Sequence, residues 1–383
     1  MSAAEQPRGS GQGQRLMSID ALRGFDMFWI VGGEDVVERL LKWAKPAYYK
    51  EILEQLDHVK WVGFHFEDLI FPMFLFLVGV VLPFSLAKTA TSGTDRRAAY
   101  MRILRRTLLL YVLGLIYYGQ GGVLDFYFAQ QRYLGVLQRI AICYGIAAVI
   151  TLNTRVLGQL TVLIAILVGY WLILTQVPVP GGVAGDLSPQ GNLSGYIDRH
   201  YLPGRLWTEF YDNEGLLSTL PAVATALLGV LAGQWLRSGY KWQAKAGGLA
   251  LAGVACLLIG MAWGEWIPAI AFPVIKNLWT STFVLVAGGW SLILLAIFYA
   301  VIDGMNWRSW AFFFVVIGAN AITIYLGHDL IDFEHTARLL FGGLGRWSEA
   351  KGVDRGLVLA VGVLTIEWLA LYVLYRNRIF LRV

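Results

Sequence analysis

The residues best able to do chemistry are crowded into one segment, Asp57-His58-Val59-Lys60-Trp61-Val62-Gly63-Phe64-His65-Phe66-Glu67-Asp68, which holds two histidines, three carboxylates and an indole. It runs directly into an uncharged stretch at 69–87. An imidazole there exchanges a proton near neutral pH, and a nearby carboxylate such as Asp68 can fix its tautomer and raise its basicity, as a general base requires. The same residues also suit a plain interfacial loop with Trp61 as a headgroup anchor. A metal use of His58 and His65 is disfavoured, because Gly63 and the entry into an apolar helix interrupt their spacing and no HExxH pattern is present.

Other ionisable groups fall inside apolar stretches, where each costs roughly 2.5–3.5 kcal/mol on insertion scales and so needs a partner or a task. Asp20, Arg23 and Asp26 are spaced by three and share a helix face, either as a self-neutralising ladder or as the lining of a polar cavity. Arg132 and Arg139 bracket Gly135-Val136-Leu137-Gln138, and their guanidiniums could grip phosphates or carboxylates, or pair with Asp125 or an acid of another helix. His328 and Asp329 follow an apolar run, where the histidine caps a helix end or serves a site. No Walker A, GxSxG or strand-linked GxGxxG pattern occurs, which disfavours an ATPase, an α/β hydrolase and a dinucleotide fold.

The elements that must position these groups are transmembrane helices. The 383 residues are 57% hydrophobic and 15% charged, with a mean hydropathy of +0.58, whereas soluble domains carry about 25% charged residues. Uncharged runs at 69–87, 107–124, 156–185, 215–236, 246–264 and 277–302 each approach the about 20 residues a spanning helix needs. Weaker candidates at 16–36, 138–153, 308–327 and 356–375, the last interrupted by Glu367, bring the expectation to an all-α, polytopic helical bundle of about ten transmembrane helices. Residues 1–15 read as a polar, disordered cytoplasmic tail, and 16–383 as a single transmembrane domain. Arg96, Arg97, Arg102, Arg105 and Arg106 in one connection, with Arg376, Arg378 and Arg382 after the last run, place both termini in the cytoplasm. The outer connections are then the long ones, and 176–214, rich in proline and glycine, reads as an irregular cap without a helix. The basic residues cluster where spans end, so a nucleic-acid partner is rejected and the lipid bilayer is the expected one.

Several segments in order make the chain resemble a known family. Arg15-Leu16-Met17-Ser18-Ile19-Asp20-Ala21-Leu22-Arg23-Gly24, His58…Trp61…Gly63, Asp68-Leu69-Ile70-Phe71-Pro72, Arg132…Gln138-Arg139, Tyr196-Ile197-Asp198-Arg199, Glu214-Gly215-Leu216-Leu217, Asn277-Leu278-Trp279 and Tyr325-Leu326-Gly327-His328 are similar to the heparan-α-glucosaminide N-acetyltransferase family and its bacterial relatives within the transmembrane acyltransferase superfamily. That resemblance implies acetyl transfer from cytoplasmic acetyl-CoA, with no metal, to a sugar or glycan acceptor on the far side of what would be a bacterial inner membrane. His58 matches the family's catalytic histidine, as general base or as acyl carrier. The family's active-site asparagine has no counterpart, and counting from Arg23-Gly24 lands on Glu34, which joins Asp68 as a candidate to orient the imidazole. Arg23, Asp26, Trp61, Arg132, Gln138, Arg139 and His328 are the expected binding residues, with Trp61 or Arg132 as oxyanion donor. A homodimer stays open. The rival function is a secondary transporter or flippase for a sugar or lipid-linked conjugate, since buried charges also mark transport sites.

Overall fold

The computed structural model describes residues 16–92, 96–119 and 130–381. The tail 1–15, Asp125 and Arg382 lie outside the described residues. Among those described, fifteen α-helices and no strand are found. α1 (Met17–Phe28) ends in a π turn, Trp29–Gly33, where Gly32 takes the left-handed φ of 117° that lets the chain turn into α2 (Glu34–Ala44) and α3 (Tyr49–Leu56). α4 (Ile70–Ser92), α5 (Arg96–Tyr117), α6 (Val136–Asn153) and α7 (Val156–Gln176) follow, then α8 (Leu193–Tyr201), α9 (Thr219–Leu236), α10 (Trp242–Met261) and α11 (Ser281–Phe298). α12 (Phe312–Ala319), α13 (Ala321–Leu330), α14 (Phe333–Glu349) and α15 (Arg355–Arg376) complete the bundle.

Seven of these helices, α4, α6, α7, α9, α10, α11 and α15, are long and apolar enough to cross a membrane. α12 and α13, bent by 73°, make an eighth if they count as one broken span. The chain is an integral membrane protein, and the expected count of about ten is approximate. The expected span at 16–36 corresponds to α1 with its π turn, and the one at 107–124 to α5 as far as Tyr117, its residues 120–124 lying outside those described. The α-helical part of the first is only 12 residues long, and α5 carries arginines through its first half. At the bend, Asn320 donates Nδ2 to the Ile379 carbonyl (3.1 Å) and accepts from Leu381 N–H (3.3 Å), so the C-terminal segment pairs with the side chain at the helix break. Helices shorter than a span were missed by hydropathy. α8 sits inside the expected irregular cap, because Asn192 caps its first turn by accepting from Gly195 N–H at 2.6 Å. α14 likewise fills much of the expected loop 328–355.

Glycines set how closely the helices approach. A Cβ on Gly79 of α4 would lie 1.9 Å from the Ala226 carbonyl of α9, and one on Gly229 would lie 2.0 Å from the Phe76 carbonyl. α1 and α12 meet in the same way, through Gly24 and Gly318, with Cβ positions 1.7 and 2.0 Å from opposing carbonyls. Without a hydrophobic drive between helices in lipid, this backbone approach is what packs them. Gly79→Val should therefore lower the melting temperature in detergent, at a cost of about 1–3 kcal/mol for overpacking. An unshifted Tm would mean that α4 and α9 can separate freely.

Candidate active site

The segment between α3 and α4 is irregular because its polar groups bond one another instead of propagating a helix. His65 begins a 3-10 turn, Phe66–Leu69, and its N–H donates to Asp68 Oδ2 at 3.0 Å, while Val59 N–H reaches the same oxygen at 3.4 Å. Gly63, at a φ of 128°, donates its N–H to the Val274 carbonyl (2.9 Å) and so ties the segment to the connection before α11. His65 places Nδ1 2.8 Å from the Asp57 carbonyl. With one oxygen of fully buried Asp68 held by the backbone, the other is turned to His58, 3.0 Å from Nδ1. His58 itself is 56% exposed, so an imidazole oriented by a buried carboxylate faces open space.

A third member was missed by sequence reasoning. Lys276 brings Nζ to 2.9 and 3.1 Å from His58 Nδ1 and Nε2, and to 3.3 Å from Asp68 Oδ1. Its place is set by a tight turn in which Trp279 N–H donates to the Lys276 carbonyl (2.9 Å) and Thr280 Oγ1 accepts from Ile275 N–H (3.0 Å). Burial pushes the Lys276 ammonium below the ordinary lysine range, and Asp68 opposes that shift. Its position directly before Asn277-Leu278-Trp279 was the available signal. Of the two acids expected to orient the ring, Asp68 is in contact. Glu34, the first residue of α2, acts on His58 and Glu67 only through its charge.

His58, Glu67, Lys276, Arg132 and Glu214 share a cavity of about 250 Å³, walled on its apolar side by residues such as Phe71, Trp279 and Tyr325. A second cavity, of about 590 Å³, opens among Asp20, Arg23, Arg106 and Tyr144, with Phe380 and Leu381 at its edge. Phe74, Leu137, Ile140 and Ile322 line both, so the two cavities have four apolar side chains in common. The first cavity takes Met27 from the end of α1 and Ile70, Phe71 and Phe74 from the start of α4, and the second takes Ile19, Asp20 and Arg23 from earlier in α1 and residues out to Ser85 of α4, so the two are stacked along these helices.

Arg132 is buried and makes ion pairs with Asp212, at 2.7 Å, and with Glu214. Burial works against its charge, but Glu214 and Asp212 hold the guanidinium above its usual range. Burial pushes the Glu214 carboxyl up while Arg132 and Arg139 pull it back. Arg139 donates to Ser218 Oγ (2.5 Å) and lies over the Trp279 ring. Gln138 is buried and donates to the Arg132 carbonyl at 3.4 Å. Trp61 donates its indole N–H to the Leu187 carbonyl (2.9 Å), across to the cap.

The expected ladder in α1 is divided. Arg23 pairs with Asp20 at 2.8 Å and donates Nε to the Gly318 carbonyl at 2.7 Å. Asp26 is fully buried with neither oxygen hydrogen-bonded among the described residues. His328 is not among the residues lining His58's cavity and places Nδ1 2.7 Å from Glu367 Oε1, which supplies the partner that Glu367 needs inside α15.

The profile of the family described as heparan-alpha-glucosaminide N-acetyltransferase, catalytic, matches residues 15–261. The chain belongs to this family. Heparan-alpha-glucosaminide N-acetyltransferase of Homo sapiens is 28% identical across 96% of this chain and 60% of its own length. The Mus musculus protein of the same name is 28% identical across 100% of this chain and 63% of its own length. The chain therefore spans about three fifths of the curated relatives it matches. Within this family member, His58, Asp68, Arg132 and Arg139 fall inside the matched catalytic region, whereas Lys276, His328 and Glu367 lie beyond it.

Proposed function

We propose that this chain transfers an acetyl group from acetyl-CoA, entering at the cytoplasmic face, to an amine or hydroxyl of a sugar or glycan at the opposite face, with His58 as general base or acyl carrier. The observation that carries the reading is His58, braced by buried Asp68, opening into a cavity that shares four apolar lining residues with a larger one. The larger cavity presents Arg23 and Arg106, cations suited to the phosphates of a thioester nucleotide too polar to cross lipid. The acetyl end would reach past Phe74 and Ile140 to His58. There the imidazole takes the proton of the attacking group, and Asp68 stabilises the resulting imidazolium. Family membership supports the reaction class.

Incubating the purified chain with acetyl-labelled acetyl-CoA and amino-sugar acceptors tests the reading. Label should appear on the acceptor. Acceptor flux across a vesicle without consumption of thioester would instead support the transporter.

Sidedness gives a second expected result. Glu54, in α3, is exposed beside the His58 segment, and Gly239, between α9 and α10, is exposed at the other end, where Arg237 donates to the Pro83 carbonyl (2.7 Å). Glu54→Cys should react with an impermeant thiol reagent in intact cells, and Gly239→Cys only after the membrane is opened. Labelling of both from one side would overturn transfer across the bilayer and the assignment of both termini to the cytoplasm.

A further inference from the structure

We propose that Lys276 is a catalytic residue of this transfer, its ammonium donating to the thioester carbonyl oxygen as negative charge develops there. This role rests on the acetyltransfer reading above. The distances place Nζ within 3.1 Å of both nitrogens of the imidazole, so a carbonyl carbon attacked by a group bonded to His58 has its oxygen within reach of the same ammonium. The donors expected from sequence are engaged elsewhere: Trp61 donates to Leu187, and Arg132 to Asp212 and Glu214.

Charge balance favours the same assignment. Before attack, the Lys276 ammonium and the Asp68 carboxylate, 3.3 Å apart, already offset each other beside the ring that serves as base. The acceptor's lone pair then adds to the carbonyl carbon, the C=O π pair moves onto oxygen, and His58 takes the acceptor's proton. The new imidazolium is matched by the new oxyanion, so the cluster gains no net charge. On collapse the carbonyl re-forms, the C–S bond breaks, and the departing thiolate takes its proton from His58, leaving an amide or ester and a thiol.

The other charged groups around Lys276 are Glu67 beside Asp68, with Arg132 and Glu214 across the cavity. A titrating ammonium at this place predicts an alkaline limb in the rate profile, activity falling as pH rises and Lys276 loses its proton.

Lys276→Met should lower kcat about 10²–10³-fold, the cost of removing one oxyanion donor, with KM for acetyl-CoA held within about twofold. Lys276→Arg, which keeps the cation and guards against misfolding, should retain measurable transfer but lose the alkaline limb, since a guanidinium does not titrate there. Lys276→Cys should be as slow as Lys276→Met. Treatment with 2-bromoethylamine, which rebuilds an amine on the thiol, should restore transfer with the limb moved to lower pH; the wild-type chain treated alike is the control. Lys276→Met keeping more than about a tenth of wild-type kcat, Lys276→Arg with an unchanged limb, or alkylation without recovery would each overturn the role. A loss of rate that only tracks a fall in Tm would make Lys276 a counter-ion for Asp68 and also overturn it. A wild-type chain that transfers no label removes the acetyltransfer reading itself, and this role with it.

Discussion

His58→Ala should abolish acetyl transfer, a loss of about 10²–10⁴-fold for a general base, while leaving expression and Tm nearly unchanged. The side chain is 56% exposed and fills no core position, so its removal costs little packing. Asp68 and Lys276, 3.3 Å apart, remain to neutralise each other in its absence. Label transfer from acetyl-CoA at saturating acceptor is the measurement. A variant that keeps more than about a tenth of the wild-type rate is incompatible with His58 as the proton acceptor. Acid quench during turnover separates the two routes, because label retained on wild-type protein and absent from His58→Ala identifies the acyl carrier.

The second large effect is on folding. Arg132→Met should destabilise the chain by about 3–5 kcal/mol, since removing one member of a buried ion pair leaves the others uncompensated. Those others are Asp212, within 2.7 Å and fully desolvated, and Glu214. The loss should appear as low yield and a lowered Tm, and adding Asp212→Asn and Glu214→Gln should recover part of it. Arg139→Met should behave differently, because the groups that accept its hydrogen bonds are neutral, Ser218 and the Gly215 carbonyl, and its guanidinium lies over the Trp279 ring. An Arg132→Met chain that keeps its Tm while raising KM for acetyl-CoA would assign Arg132 to ligand binding instead of the cap.

The structure also changes what the buried charges of α1 mean. Spacing by three left Asp20, Arg23 and Asp26 either as a self-neutralising ladder or as the lining of a polar cavity; Arg23 turns to Asp20 and to the Gly318 carbonyl, and Asp20 and Arg23 both line the larger cavity. Asp26 is left fully buried, with neither oxygen hydrogen-bonded among the described residues. Helical spacing states which residues share a face, but only the packing of α12 against α1 decides which way the guanidinium turns.

What the sequence determined by itself was whatever depends on local chemistry. A bilayer accepts only long apolar helices, so uncharged runs such as 69–87 and 277–302 were legible as spans α4 and α11 without reference to anything else. His58 and Asp68 are ten positions apart and joined through their own backbone turn, so their partnership could also be read locally. Tertiary structure decided the rest, because the deciding contacts join distant parts of the chain. Lys276 meets His58 across 218 positions, and Glu367 finds His328 across 39. The stacked cavities exist only once α1, α4, α6 and α13 are placed side by side. The physical reason is that a charge at membrane depth announces in sequence only that it needs a partner. Which group supplies it depends on how close the glycine-bearing helix faces let the backbones come, and that is a property of the packed bundle.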